Sequence, residues 1–201
     1  MAAQRTNEKS SGGVLDGWAY PALVVLLVVA GFFGLAVLPR VLASSHAMVG
    51  KPVPQLALPV LWEKAPTPTS PGTPQGAAAA RNVDLASLKG NVVVLDFWAP
   101  WCGPCRHEMP LLDAMARRLA PKGVLVVGVL VDQDRAGALE LLGKMNIGYP
   151  QLEDVQGQAQ QAFDVRTLPS LVVLDREGKI VAYHTGFTPE EDLEEDLKRA
   201  M

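Results

Sequence analysis

The residues with most chemistry to offer are two cysteines, the only two in a chain of 201 residues, standing as Cys102-Gly103-Pro104-Cys105. A CxxC pair serves zinc binding, covalent haem attachment or dithiol redox exchange. A structural zinc normally takes four ligands. There is no second CxxC here, and the three histidines at 46, 107 and 184 show no ligand spacing. Haem attachment requires His directly after the second Cys; Arg106 occupies that place and His107 comes one residue late. A peroxidase is excluded too, since no lone cysteine stands in a Pro-x-x-x-Thr-x-x-Cys context. A redox dithiol remains, and that chemistry calls for neither metal nor cofactor.

The neighbouring residues support this use. Val92–Trp98 is short, apolar and rich in β-branched residues, which predicts a buried strand. A helical pattern follows to about Ala120, with Leu111, Leu112, Met115 and Leu119 on one face. The cysteines therefore fall between a strand and the first turn of a helix. Unpaired backbone N–H groups and the positive end of the helix dipole stabilise a thiolate there, and the thiolate is the form that attacks disulfides. Cys102, expected to be exposed, is the nucleophile. Cys105, one turn further in, is expected to stay buried and protonated until it resolves the mixed disulfide. Pro104 suits an early helical position, where its missing N–H would be unpaired anyway.

Asp96 is a carboxylate inside a strand of Val and Leu, a costly placement without a partner or a task. Two readings stand: a proton acceptor for Cys105, its pKa raised by burial, or a strand-end Asp bonded to backbone or water. His107 is read as part of a solvated helix face; for Glu108 that reading and a role beside the dithiol are equally open. Trp98 and Trp101 are read mainly as packing residues, with Trp101 also shielding the nucleophile and touching substrate.

The elements that must hold these residues form an α/β pattern. Beyond the first strand and helix, 124–131 reads as a second buried strand, 135–145 as a helix and the neighbourhood of Tyr149 as a short strand or loop. Residues 171–174 and 180–183 read as a hairpin, whose two strands must be antiparallel. In the last helix Thr188 is expected as the cap, Pro189 as the first helical residue and Glu191 as the partner in a capping box. The fold class is a mixed sheet with helices on both faces. Residues 63–81, dominated by Pro, Thr, Ser, Gly and Ala, cannot bury enough apolar surface to order themselves and are expected as an inserted surface loop.

Of the residues, 49% are hydrophobic, and the excess lies near the N-terminus, where 17–39 carries no charge. About 20 apolar residues span a bilayer, so this run is expected as a transmembrane anchor with Trp18 and Tyr20 at the interface. The alternative is a cleaved signal peptide, for which Ser45-His46-Ala47 offers a cleavage site. Residues 1–16 form a polar arm, 40–50 a spacer and 51–201 the catalytic domain. A net charge of −3 gives no reason to expect nucleic acid as a partner.

The segment from Asp96 through Cys102-Gly103-Pro104-Cys105 to Arg106 closely resembles the thioredoxin active site, and Pro110 matches that family's helix-kinking proline. Phe163-Asp164-Val165-Arg166-Thr167-Leu168-Pro169-Ser170 resembles the segment with the cis-proline facing the dithiol. The resemblance covers about residues 50–200 and implies a thioredoxin-like fold, a cis Pro169 and a Leu168 that offers its backbone to bound peptide. The N-terminal run, Gly50-Lys51-Pro52-Val53-Pro54 and Glu108-Met109-Pro110 narrow it to the membrane-anchored, extracytoplasmic branch of redoxin type, which includes the cytochrome c maturation reductants. In that branch a glutamate matching Glu108 lies close to the dithiol and tunes it.

The chain departs from the pattern at 63–81, at Asp96 where the branch often has Asn, and at Thr167 and Ser170 where Gly and Thr are commoner. The function implied is a single-pass protein of the cytoplasmic membrane with its domain on the periplasmic side. It would take electrons from a membrane donor and reduce disulfides of client proteins, apocytochrome c among the candidates. The alternatives are a disulfide-forming oxidant, disfavoured by Gly103-Pro104, and a copper-binding assembly factor. The latter has three residues between its cysteines and a distal His that His184 could at most imitate.

The order of attack can be tested by trapping. Cys105→Ser should accumulate mixed disulfides with client proteins in cells, and Cys102→Ser should form none. Equal trapping by both variants contradicts the assignment.

Overall fold

The computed structural model describes residues 19–32, 46–63 and 81–201. They belong to two units, one ending at Ser44 and the other spanning Ser45–Met201. In the first, α1 covers Ala19–Phe32. Among the described residues no helix is long and apolar enough to cross a membrane. The rest of the expected 17–39 span, the 1–16 arm, positions 40–45 of the spacer and nearly all of the 63–81 insertion lie outside the described residues.

The second unit is built on seven strands: β1 (Ala57–Trp62), β2 (Asn82–Asp84), β3 (Val92–Trp98), β4 (Val124–Leu130), β5 (Gln151–Glu153), β6 (Ser170–Leu174) and β7 (Ile180–Thr185). Their order across the sheet is β2-β1-β5-β4-β3-β6-β7. Strand β3 runs parallel to β4 and antiparallel to β6, so all seven of its residues are buried. This is why it reads as an unbroken apolar run rather than an alternating one. Side chains of a strand point alternately to opposite faces. Val92, Val94 and Trp98 accordingly enter one core, and Val93, Leu95 and Phe97 the other.

The first core lies under α2 (Gly103–Leu119), α3 (Arg135–Met145) and α5 (Glu190–Ala200). The second lies against α4 (Gln158–Ala162), a 3-10 turn at Leu85–Leu88 and the stretch that includes Met48 and Val53. Helices thus cover both faces of a mixed sheet, as the pattern predicts. By alternation Asp96 points into the first core, the one beneath α2.

Opposite Asp96 on β4 stands Gly128. A Cβ there would come within 1.8 Å of Gln151 Oε1. The Gln151 amide lies across the glycine, accepting from Trp98 Nε1 at 2.8 Å and donating to the Tyr149 carbonyl at 3.2 Å. The central strand and β5 are locked together by this bond, and it fixes the Tyr149 segment behind the site.

Several expectations are corrected. The spacer does not run to residue 50: the His46 ring stacks on Tyr183 at 3.6 Å, and Gly50 N–H donates to the Ile180 carbonyl. The capping box does not form. Pro189, with extended backbone, is the N-cap of α5, and no side chain caps the helix. Thr188 is instead buried, with its N–H held by Glu108, which leaves it outside the helix. Strands β1 and β2, an antiparallel pair flanking the 63–81 insertion, were not expected, nor was the five-residue α4. The ion pair Arg81–Glu63 at 2.5 Å joins the two ends of that insertion.

Candidate active site

Cys102 and Cys105 form a disulfide, with Cα atoms 5.3 Å apart. Cys102 is the N-cap of α2, in extended backbone, and its Sγ accepts from the Cys105 backbone N–H at 3.2 Å. Pro104 fills the first turn, where no N–H is required. The exposure expected of Cys102 is absent in this oxidised state: its residue exposure is 3%, against 0% for Cys105. The surface beside it is instead Trp101, 69% exposed and thus not a packing residue. Its Nε1–H donates to Asp132 Oδ2 at 2.7 Å, which ties the exposed indole to the loop after β4. Trp98, by contrast, is fully buried.

The Leu168–Pro169 peptide is cis, as the resemblance implies. Pro169 is buried, its carbonyl accepts from Gly186 N–H at 2.8 Å, and the Ser170 hydroxyl donates to the Thr167 carbonyl at 2.8 Å. Leu168 packs against the core cluster that contains both cysteines.

Beneath the helix lie two buried carboxylates. Asp96 Oδ2 accepts from the Tyr149 hydroxyl at 2.8 Å, and Glu108 Oε1 accepts from Thr188 N–H at 2.8 Å. Among the described residues, their other oxygens, Asp96 Oδ1 and Glu108 Oε2, are the buried side-chain polar atoms left without a partner. Burial, then the neighbouring Glu108 charge, pushes the Asp96 carboxyl up to about 7 against the pull of the Tyr149 bond. Burial pushes Glu108 up to about 7 as well, opposed by the Thr188 bond and by His184. The Tyr149 hydroxyl is held well above its ordinary range by burial and by Asp96, so it donates as a neutral phenol. Two carboxyls coupled in this way resist ionising together.

The strand-end reading of Asp96 and the solvated-face reading of Glu108 both fail. Glu108 lies three residues after Cys105 and four before Leu112, so it shares the buried stripe of α2. That spacing was a signal in the sequence that could have placed it. Tyr149, Asp132 and the His184–Asp196 pair carry no such signal, because only the fold brings them to the site. His107 is exposed, its ring 5.4 Å from that of Phe187.

Comparison with known proteins gives concordant results. A redoxin family model matches residues 48–200. The thiol-disulfide oxidoreductase ResA of Bacillus cereus strain ATCC 10987 is 25% identical over 178 residues, 88% of this chain and 93% of the relative. ResA of Bacillus subtilis strain 168 is 31% identical over 106 residues, 53% of this chain and 59% of the relative. Among solved structures, a putative thiol:disulfide interchange protein DsbE from Chlorobium tepidum superposes with TM-score 0.62 at 31% identity, covering 76% of this chain and 96% of that one. A secreted Mycobacterium tuberculosis disulfide oxidoreductase homologous to E. coli DsbE gives 0.56 at 25% identity, covering 72% and 96%.

The raised carboxyls make stability depend on pH. Below about pH 4 both folded and unfolded chains hold these protons. As pH rises toward about 7, where Asp96 and Glu108 titrate in the fold, the unfolded chain has already lost them, so stability falls across that window. Asp96→Asn should therefore stabilise the oxidised protein by about 2–4 kcal/mol at pH 8, with the gain vanishing near pH 4. Urea unfolding at several pH values measures this; a gain independent of pH would contradict it.

Proposed function

This chain belongs to the redoxin family and is a thiol–disulfide oxidoreductase, and from that premise we propose that it works as a membrane-anchored extracytoplasmic reductant of client-protein disulfides. The Cys102 thiolate attacks the client disulfide and forms a mixed disulfide. Cys105 then gives its proton to the carboxylate pair, and its thiolate attacks Cys102 Sγ. The client leaves reduced, and Cys102–Cys105 holds the disulfide. Trp101 and the backbone at Leu168 and Pro169 form the surface on which client peptide rests.

The observation that carries the direction of transfer is the buried pair Asp96 and Glu108, each with an unpartnered oxygen. A strong oxidant needs a reduced form stabilised by a very low nucleophile pKa. Here Gly103 and Pro104 bring no cation between the cysteines, while negative charge beneath the helix opposes the thiolate. The disulfide is then comparatively stable and the dithiol reducing. Such a protein is useful in an oxidising compartment only if a donor keeps reducing it.

An anchor in residues 17–39 would hold the domain beside a membrane donor. Retention of that segment is supported by His46: cleavage after Ala47 would remove the ring that stacks on Tyr183. Apocytochrome c is a client suggested by the family resemblance. Copper binding is the weaker reading, since His184 Nε2 is taken up by Asp196.

Equilibration of the full chain with glutathione should give a potential nearer about −270 mV than about −120 mV. A value near −120 mV would assign the protein as an oxidant. Carbonate-washed membranes should retain the protein; a mature N-terminus at Met48 would identify a cleaved signal peptide instead.

A further inference from the structure

A third titratable group adjoins the carboxylate pair. Asp96 on β3 pairs with Leu171 on β6, and Leu171 pairs with His184 on β7. Residues paired directly across antiparallel strands share a face. Leu171 belongs to the core beneath α2 and α5, so Asp96 and His184 face that core from either side of it. Two strand spacings put their backbones about 10 Å apart. Glu108 reaches from α2 to the segment just beyond β7, where its Oε1 accepts from Thr188 N–H four residues after His184, and it interacts by charge with Asp96 and His184. Its unpartnered Oε2 is fully buried.

The outer end of the row has its own support. His184 Nε2 contacts Asp196 Oδ2 on α5, and Arg199 binds the other oxygen of the same carboxylate. The Asp196 side chain is 4% exposed, whereas that of His184 is 28% exposed. The imidazole therefore reaches water while Glu108 and Asp96 do not. The remaining contacts of the carboxylate pair lead nowhere: Tyr149 is buried, and the Thr188 backbone N–H carries no exchangeable load. Arg118 on α2 is engaged by Glu190 and Glu194 of α5.

We propose that His184, oriented by Asp196, is the positioning residue through which the buried Asp96–Glu108 pair exchanges protons with solvent. This rests on the dithiol-exchange reading above. During resolution the proton of Cys105 passes to the carboxylate pair as its thiolate attacks Cys102 and expels the client thiolate. The pair passes the proton to the His184 ring, which Asp196 holds in place, and solvent takes the proton from there. The carboxylates end the turnover ready for the next. Imidazole suits this task because one ring nitrogen can take up a proton while the other is held by a hydrogen bond.

The test uses the full chain. Mixed disulfides with a client peptide are formed, and single-turnover release is followed across pH 5–9, alongside a carboxyl-carbon NMR titration of Glu108 in the oxidised protein. His184→Gln removes the ring whose charge interaction favours the ionised Glu108. The release midpoint and the Glu108 titration should both move up by at least about 0.5 pH unit, with release near neutrality slowed about threefold or more. Asp196→Asn, which leaves the ring but removes its support, should move both in the same direction and serves as the second variant if His184→Gln does not fold. Profiles superimposable on wild type in either folded variant would overturn the proposal. If wild type formed no mixed disulfide, the dithiol reading itself would fail, and the Glu108 titration alone would decide the role of His184.

Discussion

Two carboxylates are packed beneath the N-terminal turn of a helix that begins with a cysteine, and each keeps one oxygen away from any donor. An ionised carboxylate without partners is expensive to bury, by several kcal/mol even after relaxation. The cheaper course is to hold a proton, which is what pKa values of about 7 for Asp96 and Glu108 express. The helix start pulls the other way and stabilises a thiolate, by an amount typically under about 2 kcal/mol. The dithiol works between these opposed influences. Neither is set by a charged residue between the cysteines.

The rest of the domain keeps that arrangement dry and in register. Asp96 faces the carboxylate core because β3 alternates strictly, and β3 is held on both sides by β4 and β6. Tyr149 reaches Asp96 because the Gln151 amide bridges Trp98 and the Tyr149 carbonyl over a position where only glycine fits. Glu108 is pinned by Thr188, the residue that the last helix leaves outside its N-cap. The site thus depends on four separated segments, and a shift of one register step in β3 would turn Asp96 into the opposite core.

Much of this was legible in the sequence. The Val92–Trp98 run, the helix at 135–145 and the β6–β7 hairpin follow from apolar pattern and turn residues, because their cores are local and regular. The position of the cysteines between a strand and a helix start follows from the same patterns, and cis Pro169 from resemblance. Strands β1 and β2 were missed because a composition shift separates them and each gains its identity only by pairing. The capping box failed because a tertiary contact, Glu108 to Thr188, outweighed a local one worth about 1 kcal/mol. Glu108 was left open between two environments although its spacing from Cys105 and Leu112 placed it inward. Tyr149 and His184 were out of reach, since register across three strands decides what they face.

The central claim is that the buried carboxyl pair, by the charge it takes up as it ionises, restrains the nucleophile more than the residues between the cysteines do. The most direct measurement is the thiolate absorbance of Cys102 as a function of pH in the reduced full chain, with and without Asp96→Asn and Glu108→Gln combined. Removing both carboxylates should let the Cys102 thiolate form at a pH lower by at least about half a unit. A Cys102 titration that stays in place, or moves upward, would contradict it.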